Sequence, residues 1–172
     1  MTEHEHRGYL EPSHEAGRAF IARGLRGPVV MLNLLRFRRT ADYSAAPELA
    51  PSEPISGEEA YRRYVAHTLP FLEASGGEVL FLGKGGALLI GPSEERWDAA
   101  LLVRQSSPDV FLAFATNVEY LAGIGHRTAA LEDSRLLPLV EASVSDLVSA
   151  AGAAGSVAGA GTPSEAAPAA EL

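Results

Sequence analysis

The sequence predicts an α+β domain in which one four-stranded sheet carries helices on a single face. Residues 28–38, PVVMLNLLRFR, are apolar at both alternating sets of positions, the pattern of a strand buried on both sides in mid-sheet. Helical apolar spacing opens at Ser56 and again at Ser107, each time between strand signals. From Pro28 to Val140 the order is strand, helix, strand, strand, helix, strand, a split β-α-β plan.

Composition narrows the class. The chain has 172 residues, enough for one ordinary domain with tails, and 47% of them are hydrophobic. Its formal net charge of −8 opposes a nucleic-acid partner, since phosphate binding needs a basic face. There is no cysteine, which excludes disulfides, thiolate catalysis and thiolate metal sites. The opening residues, MTEHEHRGYLEPSHE, lack the apolar core of a secretory signal. The longest apolar run, Val29 to Leu35, is interrupted by Asn33 and falls far short of the ~20 residues that span a bilayer. A cytoplasmic protein with no membrane partner is expected.

Each element has a local reason. Residues 1–12 read as a flexible tail. Residues 13–27 read as a short helix capped by Ser13, running to about Arg23 and ended by Gly24 and Gly27. In the first strand Val29, Met31, Leu35 and Phe37 share one face with Asn33, while Val30, Leu32 and Leu34 share the other with Arg36. Thr40 to Ile55 is a loop with three prolines. Ser56 and Glu59 form a capping-box pattern ahead of a helix whose apolar side is Ala60, Tyr61, Tyr64, Val65, Leu69 and Leu72. Pro70 is expected to kink that helix, and Gly76 and Gly77 to stop it. Glu78–Leu82 and Ala87–Ile90 are short strand signals, with Gly83 to Gly86 between them resembling a hairpin connection. Trp97–Gln105 is a further strand. Ser107 and Pro108 mark a helix start, with Val110, Phe111 and Phe114 on its buried side, and Asn117 caps a second helical piece. A last strand is signalled around Arg135 to Val140, where Pro138 points to a sheet edge. The domain proper is thus residues 28–148, with a weak helix near its end. Residues 149–172, rich in Ala and Gly, offer almost nothing large to bury and are expected to be disordered.

This order is ferredoxin-like and leaves one sheet face without helices. Because the first strand is apolar on both sides, the uncovered face needs an apolar partner, and the simplest is the same face of a second copy.

Several pieces in order resemble a bacterial domain-of-unknown-function family placed in the dimeric α+β barrel superfamily. They are MLNLLRF at Met31–Phe37, SGEEAYRRY at Ser56–Tyr64, Gly76-Gly77, Trp97-Asp98, Ser107-Pro108, Glu119-Tyr120 and His126-Arg127. The resemblance spans roughly Pro28 to Val140. It implies a ferredoxin-like protomer and a homodimer whose two sheets face each other as a barrel. It also implies a pocket between the sheet and the helices or loops of one protomer. The superfamily includes antibiotic-biosynthesis monooxygenases, muconolactone isomerases, chlorite dismutases and haem-degrading enzymes, and that variety names no reaction for this chain.

Candidate site residues follow, each with two explanations. Asn33 is a polar group inside an apolar strand, aimed either at a ligand or at a neighbouring strand or buried water. Arg36 and Arg104, where strands meet loops, either clamp a carboxylate or phosphate together or pair with local acids such as Asp98. His126 and His67 are either proton-transfer groups or helix-end residues, and Arg127 follows the first of them. Tyr61 and Tyr64 either line a pocket or pack in the core. His4 and His6, among Glu3 and Glu5, lie in the tail without fixed geometry for a metal. No dinucleotide glycine motif or metalloprotease pattern is present, and no cofactor is expected. The functional expectation is a cofactor-independent enzyme using acid–base or oxygenase-like chemistry on a small, partly apolar molecule. Asn33 and Arg104 would position it, Tyr61 would orient it, and His126 or His67 would move a proton. The alternatives are a non-catalytic binding dimer using the same pocket, or a structural dimer with a filled interior.

Overall fold

The computed structural model describes residues 8–149. By its contacts the chain divides into Met1–Val140 and Glu141–Leu172. The first unit runs α1 (His14–Ala22), β1 (Val29–Phe37), α2 (Gly57–Ala74), β2 (Glu78–Ala87), β3 (Arg96–Gln105), α3 (Pro108–Ala115), α4 (Val118–Leu121), α5 (Ile124–Ala130) and β4 (Leu131–Leu139). A single 3-10 turn, Pro47–Leu49, interrupts the proline-rich loop after β1. In the second unit residues 144–149 are helical (α6). Its start is closed reciprocally: the Ser143 N–H donates to Asp146 Oδ2 at 2.8 Å and the Asp146 N–H to Ser143 Oγ at 3.2 Å. The stretch expected to be disordered lies outside the described residues beyond 149, as do His4 and His6.

The sheet order is β2-β3-β1-β4, and every neighbouring pair is antiparallel. That is the ferredoxin-like order. β1 lies in the interior of the sheet and β4 on its edge, where Pro138 is tolerated. Register confirms the two faces of β1. Met31, Asn33 and Leu35 stand opposite Val103, Leu101 and Ala99, and Leu32 and Leu34 stand opposite Leu102 and Ala100. The first set faces the helices. Leu35, Ala99, Leu101 and Leu131 close the core against Ala60 of α2 and against Ala129 and Ala130 of α5. The second set belongs to no core cluster. Val30, Leu32, Leu34 and Leu102 point outward there beside Phe81, Leu137 and Leu139, which are 55%, 51% and 37% exposed.

The helix starts behave as their caps dictate. Ser13, Ser56 and Ser107 each accept from the backbone N–H three residues on, and Asn117 Oδ1 accepts from both Glu119 and Tyr120. The capping box at Ser56 is half made, since Glu59 extends to Arg62 instead. Gly57 lets α2 begin hard against the sheet end. A Cβ there would strike the carbonyl oxygens of Arg38 and Ala130, and its N–H donates to Arg38 O at 3.0 Å. The helix continues through Pro70 and ends at Ala74. Its expected apolar side is only partly used, because Leu69 is 38% exposed.

Three expectations need correction. Gly83, Gly85 and Gly86 do not form a hairpin; β2 runs unbroken through them, paired along β3, and the turn lies at residues 88–95. Ladder hydrogen bonds to an adjacent strand outweigh the weak strand preference of glycine. β4 is longer than its sequence signal and starts at Leu131, with no loop between it and α5. Residues 8–10, placed in a flexible tail, are docked on β4. The Tyr9 N–H donates to Asp133 Oδ1 at 2.7 Å, the Ser134 hydroxyl donates to the Tyr9 carbonyl, and Arg127 Nη1 donates to the Leu10 carbonyl at 2.6 Å.

Among the described residues no helix is long and apolar enough to cross a membrane. Leu35 is fully buried where sheet and helices meet. Leu35→Ala should therefore lower unfolding stability by about 2–5 kcal/mol, measured by urea titration.

Candidate functional site

The helix layer gathers the aromatic and histidine candidates. Tyr61 packs between Phe37 and Tyr64, with ring centroids 5.4 and 5.3 Å away. Burial pushes its phenol well above the ordinary tyrosine range, as it does for Tyr120. The hydroxyls of Tyr64 and Tyr120 are 3.1 Å apart. His67 Nε2 donates to the carbonyls of Glu119 and Tyr120 at 2.9 and 3.2 Å, tying α2 to α4. His126 Nδ1 meets the hydroxyl of Tyr43 at 2.8 Å. Desolvation, followed by the charges of Arg63 and His67, pushes the His126 imidazole below its ordinary value. Desolvation likewise raises the Tyr43 phenol, so the tyrosine keeps its proton. Tyr43 was not singled out in the sequence, because nothing in a proline-rich loop marks one tyrosine as the partner of a histidine 83 residues away.

The other candidates do not join this cluster. Asn33 lies on the helix-facing side of β1, but its Nδ2 donates to Met31 O of its own strand at 3.1 Å. Arg104 pairs with Glu78 at 3.1 Å. It stands opposite Val30 at one end of β1, while Arg36 lies at the other, roughly 20 Å away at the rise of a strand. The two arginines form no joint clamp. Arg127 is spent on the Leu10 carbonyl and on Ser134 Oγ, at 3.2 Å. Among the described residues no group of three or more histidine, aspartate or glutamate side chains is placed to hold a metal ion.

Two clefts open beside the start of β4. One, about 380 Å³, is walled by Arg36, Trp97, Arg135 and Asp133 with Pro92, Glu94 and Glu95. Arg135 lies 4.9 Å over Trp97 and Arg36 5.9 Å over the same ring. Asp133 binds these arginines together, at 2.7 Å to Arg135 and 3.5 Å to Arg36. Burial opposes its charge, but the Arg135 guanidinium and the N–H groups of Tyr9 and Ser134 hold its carboxyl below the usual range. The other cleft, about 480 Å³, lies between residues 8–11, Arg38, Thr128 and Glu132. The Nε atoms of Arg36 and Arg38 are both buried without a hydrogen-bond partner among the described residues, and each arginine walls one cleft. A buried donor left unmade costs about 1–3 kcal/mol. Arg38 and Arg135 carried no signal in the sequence, since unspent hydrogen-bonding capacity is visible only in three dimensions.

No protein-family model and no curated protein matches the chain. Solved structures do. The methylated RPA0582 protein is 33% identical, with a TM-score of 0.72, covering 80% of this chain and 98% of that one. RPA0582 from Rhodopseudomonas palustris, a protein of unknown function, is 34% identical, with a TM-score of 0.69, covering 79% and 98%. A dimeric ferredoxin-like protein of unknown function from Thermobifida fusca YX has a TM-score of 0.40 at 13% identity over 67% of this chain and 92% of that one, too remote to bear on this site.

The depressed imidazole has a consequence for stability. The unfolded chain takes up a proton near the ordinary histidine value of 6.5, before the folded chain does. The contribution of His126 is therefore intact above that value and is lost as pH falls through it toward the folded value. Between about pH 7.5 and about pH 5.5, wild type should lose more stability in urea than His126→Gln.

Proposed function

Taking as premise that the chain belongs to the family of RPA0582, we propose that it works as a homodimer joined through its bare sheet face and binds a small, partly apolar molecule. The bare face carries this reading. Val30, Leu32, Leu34, Leu102, Phe81, Leu137 and Leu139 make one contiguous apolar surface outside the core, on the sheet face away from α2 and α5. Covering such a patch is worth about 25 cal/mol for each Å² removed from water, and a second copy offers a face of matching shape.

Binding is favoured over proton transfer by where the nitrogens go. His126 Nδ1 and His67 Nε2 are both engaged by the protein, and neither cleft beside β4 includes a histidine. Arginines, carboxylates, aromatic rings and hydroxyls line those clefts, groups that orient a small ligand.

Light scattering after size exclusion should give twice the chain mass for wild type. The paired change Leu32→Arg with Leu137→Arg should give the chain mass with an unchanged circular-dichroism spectrum. A wild-type monomer at high concentration would defeat the dimer. Native mass spectrometry of the purified protein reads subunit number and retained small molecules together.

A further inference from the structure

We propose that the cleft between the N-terminal segment and Arg38 is a binding site for a small zwitterion with an apolar body, its carboxylate on Arg38 and its ammonium on Glu11. The inference rests on the small-molecule reading above and deepens it by naming a site and a ligand class. It does not need the dimer.

The cleft is built rather than incidental. One wall is the segment 8–11, laid on β4 by the bonds from Tyr9 to Asp133 and from Ser134 and Arg127 to the carbonyls of Tyr9 and Leu10. Gly8 sits so close to the Glu132 carbonyl that no side chain fits there. Leu10 packs against the core and fixes the depth of this wall. The opposite wall is Arg38, whose backbone is held at both ends: its N–H donates to Ala130 O at 2.8 Å, and its carbonyl accepts from Gly57 at 3.0 Å. With the main chain so anchored, the buried Nε–H of Arg38 stays without an acceptor among the described residues. A carboxylate meets that need, since a guanidinium presents parallel donors to two oxygens.

The surrounding charge decides between an anion and a zwitterion. Glu11 and Glu132 line the same cleft. Among the described residues Glu132 is paired with Arg36 at 3.5 Å and with Arg96 at 3.9 Å. Asp42, on the loop after Arg38, spends its carboxylate on the Ser44 N–H at 3.0 Å. A simple anion on Arg38 would leave the Glu11 carboxylate of the same cleft unanswered. A molecule carrying both charges satisfies both, and its apolar part finds Tyr9, Leu10 and the methyl of Thr128. A volume of about 480 Å³ admits a molecule the size of an aromatic amino acid.

The test is an amide NMR titration of the full chain with L-phenylalanine, beside 3-phenylpropanoate and phenethylamine, which each lack one charge. Phenylalanine should shift the signals of residues 8–11, Thr128 and the Arg38 Nε–H saturably. Each single-charge control should bind at least about tenfold more weakly, the loss of one charge-assisted contact. Arg38→Met should weaken phenylalanine by a similar factor, while Arg104→Met leaves it unchanged. Glu11→Gln, in an exposed segment that does not threaten folding, should weaken phenylalanine but not 3-phenylpropanoate. Equal binding of all three probes, shifts centred elsewhere, indifference to Arg38→Met, or no saturable shift would each overturn the site. Size exclusion of the same samples, with the Leu32→Arg and Leu137→Arg protein included, separates failure of this site from failure of the dimer. Probe binding by the monomeric variant would leave the site standing alone.

Discussion

The structure depends on one constraint: β1 is apolar on both sides, and the helices can cover only one. Antiparallel pairing with β3 and β4 satisfies its backbone, and α2 and α5 satisfy its inner side chains. Everything else is arranged around that strand. The helices are amphipathic toward it, the edge strand tolerates a proline, and the outer face is left in need of a cover that the first unit does not bring from its own helices.

The same strand separates the chemistry of the molecule into regions. Its apolar middle excludes charge, so the ionisable groups collect toward its two ends. Arg104 and Glu78 neutralise each other at one end. Arg36, Asp133, Arg135 and Trp97 meet at the other, where β4 begins and the N-terminal segment crosses. The tyrosines and histidines form a third region in the helix layer, where burial raises the phenols of Tyr43, Tyr61 and Tyr120 and favours the neutral His126 ring. Their hydrogen bonds fasten helix to helix and loop to helix.

Local chemistry was legible in the sequence wherever neighbouring residues decide structure. The caps at Ser13, Ser56, Ser107 and Asn117, the two-faced pattern of β1 and the edge placement of Pro138 needed only short-range rules. The glycines of β2 misled because glycine marks a turn only when nothing pairs with it, and β3 pairs with Gly83 and Gly86 on either side of Gly85. The candidate site was legible in composition but not in assembly. Arginines at strand ends were visible, yet which arginine faces which depends on register, and register placed Arg36 beside Arg135 and Trp97 rather than Arg104. The docking of residues 8–10 rests on Asp133, Ser134 and Arg127, more than a hundred residues away in the chain.

The junction of α5 and β4 is direct, Ala130 in the helix and Leu131 in the strand, both fully buried. No loop separates them, and the ladder against β1 shifts register just beyond, between Arg36 and Phe37. Thr128, which faces the larger cleft, and Asp133, which anchors the N-terminal segment and walls the smaller one, therefore sit on either side of one bulged joint, with His126 two residues before Thr128. Such a bulge re-aims the side chains beyond it, so one edge strand can serve both clefts.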